Sequence, residues 1–269
     1  MGFADAYLLK AGLREVLIEP EPHHGLNIIV TIPVFNESGL ERCLDSLFQC
    51  ACGRGAHTST GSDAAEGSEA LAEAGLGEAA VPEANADADI HAEVLILINA
   101  PADAPAAVLE QNLATLESTR LWIKAHQHPC IDFHVWLDHS FGKKEAGVGT
   151  ARKILMDEAV RRFSSLDRPE GIIASMDADA VVQANYLEAL VNQFAASPLN
   201  AEGPDGCSIR FEHPLAGDEF SPEVYKAITQ YELHLRYYLQ SVRSTGYPHA
   251  YHTVGSSFAV RAGIYCKEG

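Results

Sequence analysis

Gly171-Ile172-Ile173-Ala174-Ser175-Met176-Asp177-Ala178-Asp179 is the stretch from which the rest of the chain can be read. A short apolar run, preceded by glycine and extended by no helical period, reads as a buried strand. It runs straight into two carboxylates one residue apart. At a strand end the chain leaves the sheet, so residues 177 and 179 can turn towards one point in solvent. Carboxylates held that close repel each other and raise one pKa, unless a cation lies between them. Hard divalent ions such as Mg²⁺ take oxygen ligands and often keep phosphate oxygens in the rest of their shell. Asp177 and Asp179 are therefore a candidate seat for a metal-bound diphosphate. The competing reading is two solvated loop aspartates capping the next helix.

Strands and helices alternate on both sides of this stretch. Upstream, the β-branched run from Asn27 to Ile32 reads as a strand buried on both faces, as in a parallel sheet. Pro33 is expected to end it. Ser38-Gly39-Leu40-Glu41 has the spacing of a capping box, and Leu40, Leu44, Leu47 and Phe48 give one apolar helix face. Val94 to Asn99 predicts a second strand. Ala106 to Lys124 predicts a helix facing inward through Leu109, Leu113 and Leu116. Asp132 to Leu137 predicts a third strand, followed by a polar loop to Val148. Gly149 to Phe163 predicts a helix burying Ala151, Leu155 and Ala159. Downstream, Asn185 to Phe194 reads as a helix capped by Asn185 and Glu188, with Leu187, Leu190, Val191 and Phe194 inward. Four such units make a doubly wound, mostly parallel α/β sheet the expected fold class. Ligands of such sheets bind over the loops at the strand C-termini.

The flanks are less regular. Residues 1–26 read as an N-terminal helix (Tyr7, Leu8, Leu13, Val16, Leu17) and a lead-in loop. Residues 52–90 are rich in Ala, Gly, Glu and Ser and poor in larger apolar side chains. They read as an acidic, largely disordered insertion, because so little apolar burial cannot offset the entropy of ordering. After residue 200, Gly206 to Phe211 reads as a strand. Ser221-Pro222 opens a long helix whose stripe of Val224, Ile228, Tyr231, Leu235, Tyr238, Leu239 and Val242 is expected in the core. Ser256 to Val260 is the last expected strand. A chain stopping at Gly269 with no closing helix reads as truncated.

The chain of 269 residues is long enough for one large α/β domain. Its formal net charge of −18 and pI near 5.0 speak against a nucleic-acid partner, since no general excess of Lys or Arg exists to replace counterions. Much of that charge is local: Gly55 through Thr119 contains no Lys or Arg. Six cysteines form no regular framework, and Cys50-x-Cys52 is too isolated in sequence for a zinc site. Reduced thiols in a cytosolic protein are the expected reading. No stretch approaches the ~18 apolar residues that spanning a bilayer requires, so no transmembrane segment is expected.

Four segments resemble the family 2 glycosyltransferases. Ile29-Val30-Thr31-Ile32-Pro33-Val34-Phe35-Asn36-Glu37, with Leu40, Cys43, Leu44, Ser46 and Leu47, is similar to the family's opening strand and helix. Gly147 to Arg152 resembles its Gly-x-x-x-Ala-Arg segment, and Met176 to Asp179 its Asp-x-Asp motif. Val254-Gly255-Ser256-Ser257-Phe258-Ala259-Val260-Arg261 resembles the strand before its acceptor region. The order is the family's, across residues 28–261.

The resemblance implies a GT-A (Rossmann-like) domain over 27–261, with 262–269 the start of the acceptor and catalytic-base region. It implies metal-dependent, inverting transfer of a sugar from a UDP- or GDP-sugar donor to a glycan or lipid-linked acceptor hydroxyl. The setting would be polysaccharide synthesis in the cytoplasm or at the inner membrane face. Pro33, Phe35, Asn36 and Glu37 would line the nucleoside pocket. Asn99 would stand where the family usually has an aspartate. Arg152 would approach the diphosphate, which Asp177 would also help bind. Asp177 and Asp179 would hold Mg²⁺ or Mn²⁺. Lys143 and Lys144 are either diphosphate partners or a solvated loop pair. His213 and His252 are weaker candidates for the acceptor side and for a third metal ligand. The family's catalytic carboxylate, often in Glu-Asp, has no match after residue 255 and is expected beyond Gly269. Two rivals stand beside this reading: nucleotidyl transfer to a sugar phosphate, and a donor-binding fragment without turnover.

Overall fold

The computed structural model describes residues 2–11, 16–52, 90–195, 203–252 and 254–268. The elements in chain order are α1 (Asp5–Ala11), β1 (Leu26–Val34), α2 (Leu40–Phe48), β2 (His91–Pro101), α3 (Ala106–Ala125), β3 (Ile131–Phe141), α4 (Val148–Ser165), β4 (Ile172–Ser175), α5 (Tyr186–Phe194), β5 (Gly206–Ser208), α6 (Pro222–Ser244), β6 (Phe258–Arg261) and α7 (Ala262–Glu268). The strands form one sheet in the order β3-β2-β1-β4-β6-β5. β1 pairs in parallel with β2 and β4, and β2 with β3, while β6 runs antiparallel to β4 and β5. This is the expected mostly parallel α/β sheet, Rossmann-like in the way successive units wind to both sides of β1.

Alternation along β1 divides the core. Ile28, Val30, Ile32 and Val34 face α2, α3 and α5, meeting Leu44, Leu47, Trp122, Leu187 and Phe194. Leu26 and Ile29 face the other way, onto Leu155, Val160 and Phe163 of α4 and onto Tyr7 of α1. Successive strand side chains point to opposite faces, so an all-apolar strand needs a helical layer on each side. Each fully buried Ile or Leu contributes about 1.5–3 kcal/mol of transfer free energy. Gly171 sets the start of β4. A Cβ there would lie 2.3 Å from Cδ1 of Phe163, so only glycine lets α4 come this close.

Several local expectations are corrected. Pro33 does not end β1, which runs to Val34 with Pro33 opposite Leu97. The carbonyl of Thr31 faces β4, where it accepts from the Met176 N–H at 3.2 Å. Pro33, two residues on, faces the same side, beyond β4's last pairing at Ser175; its missing N–H therefore costs the ladder nothing. Neither expected capping box forms: Gly39 and Asn185 are the N-caps of α2 and α5, with no side-chain cap bond. β3 continues through Phe141, taking in the first four residues of the expected polar loop. α1 is Asp5–Ala11 among the described residues; Val16 and Leu17 are not helical, and Leu13 lies outside the described residues. β5 is only Gly206–Ser208, and a short helix, α7, does follow β6. The acidic segment, apart from its terminal residues Cys52 and Ile90, lies outside the described residues. No helix among the described residues is long and apolar enough to cross a membrane.

Candidate functional site at the C-terminal edge of the sheet

The short β4 creates the site. Its pairing with β1 ends at Thr31–Ser175, so the chain turns out of the sheet while β1 continues beside β2. The turn is tethered along its length. The Met176 N–H donates to Thr31, the Ala180 N–H to the Asp177 carbonyl (3.2 Å) and the Ala51 N–H to Ala184 (2.9 Å). Ser46 Oγ, from α2, accepts from the Val182 N–H at 3.1 Å. Asp177 and Asp179 thus stand on a loop held in place by these hydrogen bonds.

Arg152, in the first turn of α4, is fitted to this loop. Its Nε donates to Ser175 Oγ at 2.8 Å and its Nη2 to Asp177 Oδ1 at 2.9 Å. Its side chain is 14% exposed, and that of Asp177 45%. The guanidinium also abuts the backbone before β6: a Cβ on Gly255 would lie 2.8 Å from Arg152 Nη1. Three segments singled out in the sequence, at 147–152, 176–179 and 254–261, therefore meet at one side chain. Arg261 does not join them. Its guanidinium donates to the carbonyls of Phe194, Pro204 and Glu170, a clamp between α5 and the sheet edge.

A second knot holds the loop after β1 to the C-terminal end of β2. Asn112, fully buried on α3, accepts from the Asn36 N–H at 2.9 Å and donates to the Asn99 carbonyl at 3.2 Å. Its amide nitrogen also lies 3.2 Å from His139 Nε2, on β3. Thr115, one turn on, donates to the Glu37 carbonyl. Asn36 adopts a left-handed φ of 51°, which asparagine tolerates better than most residues. Asn99 is buried at 3% exposure. Pro33 is buried in β1, whereas Phe35 is 56% exposed.

Burial pushes the Cys43 thiol up to about 12, and the nearby carboxylates of Asp179 and Glu37 add to the shift. Asp179 and Glu37 therefore lie near Cys43 of α2, while Asp177 is paired with Arg152 of α4. Among the described residues no third His, Cys, Asp or Glu completes a metal cluster with Asp177 and Asp179. Two accessible carboxylates still fit a hard ion such as Mg²⁺ or Mn²⁺, provided diphosphate and water supply most of its oxygens.

The weaker candidates fall elsewhere. Lys143 and Lys144 are exposed between β3 and α4. His213 Nδ1 lies 2.5 Å from Glu232 Oε1 on α6, and that hydrogen bond holds the Glu232 carboxyl below its ordinary range. His252 packs against Phe211, ring centroids 5.0 Å apart. A cleft of about 390 Å³ between the 17–20 segment and β3, lined by Arg120, His134 and Trp136, is a separate feature.

Sequence reasoning missed Asn112, Thr115 and Ser175. Helical spacing sets the first two on one face of α3, but nothing local marks that face as the buried one. Asn112, Thr115, Leu116, Thr119 and Trp122 are the buried residues of α3; of the leucines expected inside, Leu116 is buried and Leu113 is 52% exposed. The isolation of Cys52 is also corrected: the fold brings His128 and Cys130 to it. Comparisons of the chain with protein-family models, with curated proteins and with solved structures give no match.

Proposed function

We propose that the chain transfers a glycosyl group from a nucleoside-diphosphate sugar to an acceptor hydroxyl on a glycan or lipid-linked acceptor. One observation carries the reading: Asp177 stands half-exposed at the end of β4, oriented by Arg152, on the same sheet edge as the loop that carries Asn36 and the end of β2 that carries Asn99. Open parallel sheets bind ligands at this edge. Asp177 and Asp179 would hold Mg²⁺ or Mn²⁺. The ion would offset charge developing on the departing diphosphate.

The chain's own groups supply position and charge. Arg152 keeps Asp177 in one rotamer through a charge-assisted bond and offers the donor side a fixed cation. Asn112 fixes the backbone at Asn36 and Asn99, so the nucleoside side of the site is set by a buried amide. Asn99 bears an amide where a carboxylate would add charge, so the contact with base or ribose there is neutral. The acceptor hydroxyl needs a base in line with the departing group; none of the described carboxylates is assigned that role.

Nucleotidyl transfer to a sugar phosphate is the weaker alternative, because Pro33 to Gly39 contains no Lys or Arg to meet a triphosphate. Calorimetry with UDP- and GDP-sugars, with and without Mn²⁺, tests the proposal. Metal-dependent binding of one donor class supports it. Pyrophosphate release from nucleoside triphosphate plus sugar phosphate would favour the alternative. Donor binding with no turnover on any acceptor would reduce the chain to a binding module.

A further inference from the structure

The opposite edge of the sheet carries different chemistry. Cys52 follows α2. His128 and Cys130 lie in the turn between α3 and β3, where the Cys130 carbonyl accepts from the Ala92 N–H at the start of β2 (2.8 Å). One ligand atom from each of the three side chains lies within 4.8 Å of the other two. We propose that Cys52, His128 and Cys130 form a binding site for Zn²⁺ or a similar borderline-soft divalent cation.

The donor set selects the ion. Two sulfurs and an imidazole nitrogen suit Zn²⁺ and suit Mg²⁺ or Mn²⁺ poorly. Three protein ligands leave a fourth tetrahedral position for water. Cys52 is buried while His128 and Cys130 are half-buried, so the cluster has a closed side and an open side. Phe48 packs edge-on against the His128 ring at 5.2 Å, and Cys50 is buried close by. His128 Nδ1 accepts a 3.2 Å bond from the Cys130 N–H, which orients the ring; ligation gives up that bond.

The titration properties agree with the geometry. Burial lowers the His128 pKa, so its imidazole is neutral and free to ligate at pH 7. Burial, then the charge and hydrogen bond of Cys130, push the Cys52 thiol up to about 12. Without metal the Cys52 thiol stays protonated; binding expels its proton, so affinity rises with pH. The cation would tie the end of α2 to the α3–β3 turn. That is a structural role at the edge away from Asp177, independent of the glycosyl-transfer proposal.

The test uses the full chain, purified under reducing conditions and stripped with chelator, then titrated with Zn²⁺ or Co²⁺. We expect stoichiometric Zn²⁺, and a Co²⁺ form with thiolate charge-transfer absorption and tetrahedral visible bands. Excess Mg²⁺ should not compete. Cys52→Ser and Cys130→Ser should each weaken binding beyond the roughly 10- to 100-fold that outer-shell changes cost, whereas Cys207→Ser and Cys266→Ser should not. Alkylation mapped by mass spectrometry covers the case where a variant does not fold: Zn²⁺ should protect Cys52 and Cys130 in the native chain and leave Cys207 and Cys266 unchanged. Equal alkylation with and without Zn²⁺, a Co²⁺ spectrum without thiolate bands, or a Cys52–Cys130 disulfide in place of metal binding would overturn the proposal.

Discussion

Two long helices, α4 and α6, are buried to very different degrees: α4 buries its expected Ala151, Leu155 and Ala159, whereas the expected core face of α6 is exposed. The sequence of α6 carries the cleaner apolar stripe, yet Glu232 is its sole buried residue, and Val224, Tyr231 and Tyr238 are 47%, 50% and 64% exposed. The 18 residues of α4 mix Lys, Asp, Glu and Arg with the apolar positions, yet ten are buried, among them Asp157, Glu158 and Arg162. Those charges are tolerated because each meets a partner. Asp157 accepts from Tyr7 Oη at 2.8 Å and from Lys153 at 2.9 Å. Glu158 accepts from Arg161 and from the Leu17 N–H. Arg162 is forked onto Glu93 of β2 and also donates to the Pro20 carbonyl. A stripe shows which face would gain from burial. Whether that face is buried depends on partners elsewhere in the chain, which local periodicity does not contain.

The largest effect on this contrast should come from cutting the buried ion pair. Arg162→Met leaves Glu93, 1% exposed, charged or newly protonated with no partner. We expect a loss of about 3–5 kcal/mol, read as a shifted urea midpoint at unchanged slope. Adding Glu93→Met should recover most of it, because the pair's attraction is largely offset by its desolvation. A single substitution costing under about 1 kcal/mol would contradict the burial of α4's charged face.

Next in size is a pH effect beside the same pair. Burial, then the Arg162 charge, lower the His134 pKa from 6.5 to about 4, and its buried Nε2 has no hydrogen-bond partner. Between those values the unfolded chain binds a proton that the folded chain does not, so stability is full above pH 6.5 and is lost as pH falls towards 4. The slope from this group is at most about 1.4 kcal/mol per pH unit. His134→Leu should remove that component from urea melts run across the window. An unchanged slope would mean His134 is not the group that titrates.

The smallest effect should be on α6. Tyr238→Ser and Leu233→Ser should each change stability by no more than about 0.5 kcal/mol, since both side chains are more than 60% exposed. A loss of several kcal/mol in either variant would show that this face is covered in solution and would abolish the contrast.

Much of the fold was legible because β1, β2 and β4 are buried on both faces and therefore read as continuous apolar runs. Strand ends were legible only where neighbours did not intervene. Pro33 looked like a terminator, but β4 stops early enough to spare its missing N–H. The carboxylate pair was legible because Asp177 and Asp179 follow directly from a strand. Its supports were not. Ser175 and Gly255 acquire meaning only when Arg152 lies against both, and Asn112 only when three strand ends converge on α3. The Cys52, His128 and Cys130 cluster was invisible for the same reason: its members come together only when the α3–β3 turn meets the end of α2.

The central claim is that Asp177 helps to hold a cation and a nucleoside-diphosphate sugar at the C-terminal edge of the sheet. Its most direct test is calorimetry of UDP- and GDP-sugar binding to the native chain and to Asp177→Ala, each with and without Mn²⁺. Asp177 is 45% exposed and its ion pair with Arg152 is solvent-screened, so the variant should fold with a stability change within about 1 kcal/mol. The account predicts Mn²⁺-dependent donor binding in the native chain, weakened more than roughly 100-fold in Asp177→Ala, beyond the change that loss of outer-shell support alone produces. Equal donor affinity in a folded Asp177→Ala variant, with Mn²⁺ present, would contradict it.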